Sequence, residues 1–221
     1  MKSFVPHIFD FDQCKKEVRE LEELLSSSAE LSEKNDLSPF FKARINLVSL
    51  IGHLHPGITK TDRYAHEYDV FGDFASDFTV GDSRRDAYCF IELEDARKNS
   101  IFKNTGRATS DWSERFEHGY SQIIDWSYKI DDTKNSKAFA DRFNSMEIDL
   151  FSILIVGRCQ FLDASEKRRL RWRERNVVVG SMRVLCLTYD ELLVELKECL
   201  GLPALAIEAE SRIDTINLDN L

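Results

Sequence analysis

Three acidic residues stand out by type and spacing. Asp77 precedes the run Phe78-Thr79-Val80, and Glu92 and Glu94 flank Leu93 at the end of Tyr88-Cys89-Phe90-Ile91. If the two runs pair as a hairpin, Asp77 comes to lie beside the Glu92 end. Strand side chains alternate, so Glu92 and Glu94 share a face roughly 7 Å apart, with Leu93 turned to the core behind them. Carboxylates at one spot repel unless a cation or proton offsets them, and Mg²⁺ prefers one or two carboxylates plus water and phosphate oxygens. Such a site suits phosphodiester hydrolysis. Asp77 and Glu92 would hold a metal, which would supply an acidified water and charge against the phosphate, while Glu94 would orient or deprotonate the water or help hold a second ion. With 39 acidic residues in the chain, an E-x-E spacing also arises by chance at ordinary strand ends.

The elements that must position these acids follow from hydrophobic periodicity. Phe11, Val18, Leu21, Leu24, Leu25 and Leu31 recur at roughly helical spacing among charged residues, predicting an amphipathic helix over 11–34. Asp36-Leu37-Ser38-Pro39 starts a second helix running to about Leu54, ended by Pro56-Gly57. From Tyr64 to Leu93 the texture is short aromatic and β-branched runs broken at 81–86, a hairpin signal. A helix is predicted from Trp112 to Ile130, a buried strand from Asp149 to Val156, a basic helix over 165–175, a strand at 183–187 and a helix from Tyr189 through Cys199. This α, α, β, β, α, β, α, β, α order predicts an α/β fold, a mixed central sheet flanked by helices. The expected organisation is an N-terminal helical segment over 1–58, a main domain over 59–205 and a tail over 206–221.

Composition narrows the class. The five cysteines form no C-x-x-C or Cys/His cluster, which argues against a zinc site or a disulfide framework and for free thiols. A net charge of -9 argues against a protein that coats nucleic acid by bulk electrostatics, while leaving room for a local basic surface. No apolar run approaches the length of a membrane span and no signal peptide is evident, so a soluble, cytoplasmic protein without membrane contact is expected.

The blocks 90–96, 100–102 and 115–126, followed by Val156-Gly157-Arg158, Arg169-Leu170-Arg171-Trp172-Arg173 and 187–192, resemble the Shedu-type anti-phage defence nucleases over roughly residues 65–195. These are members of the PD-(D/E)xK, restriction-endonuclease-like superfamily. The resemblance implies a restriction-endonuclease-like fold and Mg²⁺-dependent endonuclease activity on phage or plasmid DNA, with Mn²⁺ able to substitute, by a homo-oligomer. It assigns Asp77 to the D of PD, Glu92 to the D/E, Glu94 to the lysine position and Gln122 to a glutamine on the following helix, with the Leu93 backbone carbonyl as a further metal ligand. Two departures are visible: Ser76 replaces the proline, which shapes only a turn, and Glu94 replaces the lysine. Some restriction enzymes of the superfamily carry Glu there and remain active. The competing reading is a nuclease fold that has lost catalysis and binds DNA or a partner as a sensor.

Several further residues have both a functional and a structural reading. His118, Gln122 and Trp126 recur at i, i+4, i+8 and share a helix face. Gln122, and less so His118, faces the site or solvent; Trp126 belongs to the core. Lys98 and Lys103 follow Glu94 and either replace the missing lysine or are simply solvated. Lys167, Arg168, Arg169, Arg171 and Arg173 either form a phosphate-contact surface or pair with acids of the protein. Arg158, directly after a buried strand, reads as structural.

Overall fold

The computed structural model describes residues 3–180 and 182–201, so the expected tail over 206–221 lies outside the described residues. The chain runs β1 (Val5–Pro6), α1 (Phe11–Ser27), α2 (Ser38–Lys42), α3 (Ile45–Gly52), β2 (Arg63–Val70), β3 (Phe74–Asp82), β4 (Ala87–Leu93), β5 (Phe102–Lys103), β6 (Asp111–Trp112), α4 (Glu114–Thr133), α5 (Lys137–Phe143), β7 (Asp149–Ile155), α6 (Ala164–Asn176), β8 (Val178–Val179), β9 (Met182–Leu187) and α7 (Tyr189–Cys199). A π-helical turn spans Glu33–Leu37 and a 3-10 turn Cys159–Phe161. Seven strands form one mixed sheet in the order β1-β2-β3-β4-β7-β9-β8. The β2, β3 and β4 strands are an antiparallel meander, β7 and β9 run parallel to β4, and β5 and β6 pair by themselves. No helix among the described residues is long and apolar enough to cross a membrane.

Strand alternation divides the interior into two cores. Phe78 and Val80 of β3 and Cys89, Ile91 and Leu93 of β4 face a core closed by α1, α3 and α7. Tyr88 and Phe90 of β4 and Leu150 and Leu154 of β7 face the other, closed by α4, α5 and α6. By the same alternation Glu92 continues the α4-facing row, and Asp77 lies on that side of β3.

Local departures from the expected pattern have physical causes. The helix anticipated from Pro39 to Leu54 is two helices, interrupted at Arg44 (φ -129, ψ 70). The break is held from α1: buried Glu17 accepts from the Leu47 amide at 2.7 Å, and Glu20 holds the Arg44 guanidinium at 2.7 Å. The 64–93 region holds three strands rather than two, with β3 starting at Phe74. The β2 strand lacks a clean period because Glu67 is left-handed (φ 47) and is skipped in the ladder between His66↔Phe78 and Tyr68↔Ser76. That irregularity puts Ala65, Tyr68 and Val70 into one core. Short α5, which the sequence reading omitted, buries Phe139 and Phe143 in the same core.

Candidate active site

The β3–β4 ladder runs from Asp82↔Ala87 to Phe78↔Ile91. Just beyond, the carboxylate of Asp77 accepts the Leu93 amide at 2.8 Å, locking the acid to the strand that carries Glu92. Glu92 and Glu94 are both buried although nearly all of their neighbours on β4 are apolar. Leu93 between them is 1% exposed in the opposite core, as alternation requires. The three acids singled out by spacing are therefore brought together on the α4 side of the sheet.

Helix α4 reaches these acids through one face. Ser113 caps its start by accepting the Phe116 amide. Gln122 donates its side-chain amide to Glu92, His118 Nδ1 lies 3.0 Å from Glu94 Oε1, and Trp126 is fully buried against Phe90. The i, i+4, i+8 reading is thus realised in geometry. Gly119 permits the approach. A Cβ there would stand 2.7 Å from Leu154 Cδ1 and 3.1 Å from Glu94 Cγ, so a side chain would force Leu154, Glu94 or the helix to shift.

Three participants were not singled out from sequence. The segment before α2 pairs with the chain after β4 through Leu31↔Ala96, and the Glu33 amide donates to Asp95 at 2.7 Å, which brings the Glu33 carboxylate to the cluster. Arg115 donates from Nη1 to Glu94 at 3.2 Å and to Glu33 at 3.3 Å, with Nε 3.5 Å from Asp95. Fully buried Tyr189 donates its hydroxyl to the Glu94 carbonyl at 2.9 Å. For Arg115 a signal existed, since it precedes His118 by three and Gln122 by seven on the same helix face. For Glu33 and Tyr189 there was none, because only long-range pairing brings them in.

The electrostatics follow from burial and crowding. Burial pushes the Asp77 carboxyl up to about 6, with Glu33 and Glu94 adding to it and the Leu93 amide and Lys42 opposing. Glu92 is pushed well above the ordinary glutamate range, first by burial and then by Asp77, Glu94 and Glu33. Glu94 and Glu33 are raised as well, burial outweighing His118 and Arg115 at the former and Arg115 at the latter. Among the described residues no three His, Cys, Asp or Glu side chains form a ready-made metal cage. A Mg²⁺ site does not need one, since one or two carboxylates with water and phosphate oxygens suffice. Buried acids short of positive charge are a donor set that fits such an ion. A cavity of 570 Å³ lined by Phe4, Arg63, Tyr68 and Arg142 touches none of these acids, so it does not compete as the site of this chemistry.

The basic residues named from sequence fall in several places. Lys103 pairs with Glu114 at 3.0 Å, and Lys98 is exposed with its amide on Glu30. On α6, Arg173 clasps Glu117 with both terminal nitrogens and stacks on Trp112, Phe116 and Tyr120. Arg169 bonds the Ser110 carbonyl at 2.6 Å over Phe102 and Trp112, and Arg171 pairs with Glu191 at 2.7 Å. Lys167 and Arg168 are exposed and form no ion pair among the described residues. Buried Arg158 is structural: it pairs with Asp190 at 2.9 Å and donates to the Leu25 and Ser28 carbonyls at the end of α1. All five cysteines are free thiols.

No curated protein matches the chain. A family model does: the one described as Shedu protein SduA, C-terminal, matches residues 30–193, a span that takes in every acid of the cluster from Glu33 to Glu94 as well as α4, α6 and the start of α7. With that match extending over most of its length, the chain belongs to the Shedu SduA C-terminal family.

Proposed function

We propose that this protein is a Mg²⁺-dependent endonuclease with a restriction-endonuclease-like core, cutting phage or plasmid DNA as an assembly of like subunits. Membership of the Shedu family implies a role in anti-phage defence. The observation that carries the nuclease reading is the convergence of Asp77 and Glu92 from adjacent antiparallel strands, with Glu92 buried and its carboxyl pushed well up. Two such acids cost free energy unless something positive joins them.

In this reading Asp77, Glu92 and the Leu93 carbonyl hold the ion, and Mn²⁺ can replace Mg²⁺. When bound, the metal supplies positive charge against the scissile phosphate and acidifies the attacking water. Gln122 fixes the Glu92 carboxylate through its amide, leaving the other oxygen for the ion. Leu93 does the same for Asp77 through its backbone N–H. Glu94, steadied by His118, Arg115 and Tyr189, accepts a proton from the water or orients it.

The test is cleavage of supercoiled, linear and single-stranded DNA with Mg²⁺ or Mn²⁺. The expected result is cutting that falls at least about 100-fold in Glu92→Ala, the loss of a metal-holding group. DNA left intact by wild-type protein that binds it would sink the reading. A second reading, a nuclease fold that binds DNA or a partner without cutting, is favoured by Glu94 standing where a lysine would supply charge. Glu94→Lys separates the two, since a lapsed site gains activity and a working one loses it or stays level.

A further inference from the structure

A phosphate entering this cluster meets Glu33, Asp77, Glu92, Glu94 and Asp95, and charge developing on it in the transition state needs a fixed cation beyond the metal. Strand β4 supplies none, because the residue two positions past Glu92 is a third acid. We propose that Arg115 is the phosphate-contacting cation of the site, its guanidinium meeting a DNA phosphodiester oxygen. The proposal rests on the nuclease reading and names a residue that reading does not require.

The geometry singles out Arg115 among the nearby cations. Two of its three guanidinium nitrogens are docked: Nη1 on Glu94 and Glu33, Nε beside Asp95. Among the described residues Nη2 takes no hydrogen-bond partner, and the side chain is 52% exposed, so that nitrogen is left to meet a ligand beside Glu94. Arg115 also lies in the first turn of α4, the positive end of that helix. Its planar fork suits simultaneous contact with carboxylate and phosphate, and its charge is permanent. The alternatives are committed elsewhere or out of reach. Lys103 is paired with Glu114, Lys42 with Glu67 at 3.3 Å, Lys98 is exposed with only its backbone amide on Glu30, and Arg97 reaches no further than Asp95, at 3.9 Å, and not Glu94.

The three acids beneath Arg115 thus act as its mount. They hold the guanidinium at the rim, and the cation in turn lowers the cost of gathering them.

The experiment uses the full chain and a short DNA duplex, with Ca²⁺ in place of Mg²⁺ to keep strands whole, and follows binding between 50 and 200 mM salt. One lost phosphate contact lowers the slope of log K against log salt by about 0.9. Arg115→Ala is expected to show that drop, Arg115→Lys to keep the wild-type slope, and Lys134→Ala, a distant exposed cation, to leave it unchanged. In Mg²⁺, Arg115→Ala is expected to cut about 100-fold more slowly, without recovery at higher Mg²⁺. A wild-type slope in Arg115→Ala overturns the proposal, as does an equal drop in Lys134→Ala or the absence of duplex binding by the wild type. Recovery of cutting by added Mg²⁺ also overturns it, because Arg115 would then serve only to balance the acids. A slope drop in a protein that never cuts upholds the phosphate contact and sinks the nuclease reading alone. If Arg115→Ala loses its cooperative melting, Arg115→Gln carries the same comparison.

Discussion

At Asp77 the demands of stability and of chemistry oppose each other. Its carboxyl is raised from the ordinary 3.8 to about 6, so the folded protein holds a proton that the unfolded chain has released. A raised acid stabilises the fold below the unfolded value and loses that contribution as pH climbs through the folded one. Metal-free protein is therefore expected to lose stability between about pH 4 and about pH 6 and to stay penalised above. Asp77→Asn removes the penalty while keeping an acceptor for the Leu93 amide. In EDTA at pH 7.5 its melting temperature should exceed that of the wild type, by about 2–4 °C per kcal/mol relieved, with cutting abolished. A variant melting at or below the wild type in that scan would show that Asp77 is not strained by its charge.

At the scale of elements, α4 and α6 pack as a pair, Arg173 of α6 bonding Glu117 of α4 across an aromatic patch. The sequence of α6 offered a basic surface, and the structure divides it. Arg169 and Arg173 turn inward onto the aromatic patch of Phe102, Trp112, Phe116 and Tyr120, whereas Lys167 and Arg168 stay outward. Because Arg173 is 16% exposed and bonded twice to Glu117, Arg173→Ala should cost about 2 kcal/mol in denaturant unfolding. Lys167→Ala and Arg168→Ala should stay within about 0.5 kcal/mol. If α6 touches DNA, the outward pair should weaken duplex binding without moving the unfolding midpoint. Unchanged binding in both would assign the basic run of α6 to packing and solvation.

For the whole molecule, the two cores meet at the sheet end that carries the site. Tyr189 from the α7 side bonds the Glu94 carbonyl, and α4 from the other side holds its carboxylate. Metal binding at the acids should therefore stabilise the entire fold. Added Mn²⁺ should raise the melting temperature, more at pH 8 than at pH 5, because protons compete for raised carboxyls at the lower pH. An equal shift at both pH values, or one retained in Glu92→Ala, would place the ion elsewhere.

Much of this was legible in the chain. Strand alternation gave Glu92 and Glu94 their common face, with Asp77 added by the hairpin reading, and helical spacing put His118, Gln122 and Trp126 on one side of α4. Both are local geometry, set by how side chains alternate along one element. The break at Arg44 and the irregular β2 escaped because their causes lie outside the segment, in Glu17 and Glu20 of α1 and in the left-handed Glu67. Glu33 escaped for the same kind of reason, since its amide reaches Asp95 across 62 positions beside the Leu31↔Ala96 bridge, whereas Arg115, 21 positions from Glu94, carried a helix-face signal that was passed over. The sequence alone determined which acids face one way. Only the tertiary structure decided how far their charge is offset, because burial and the distance to a cation are set by packing between elements.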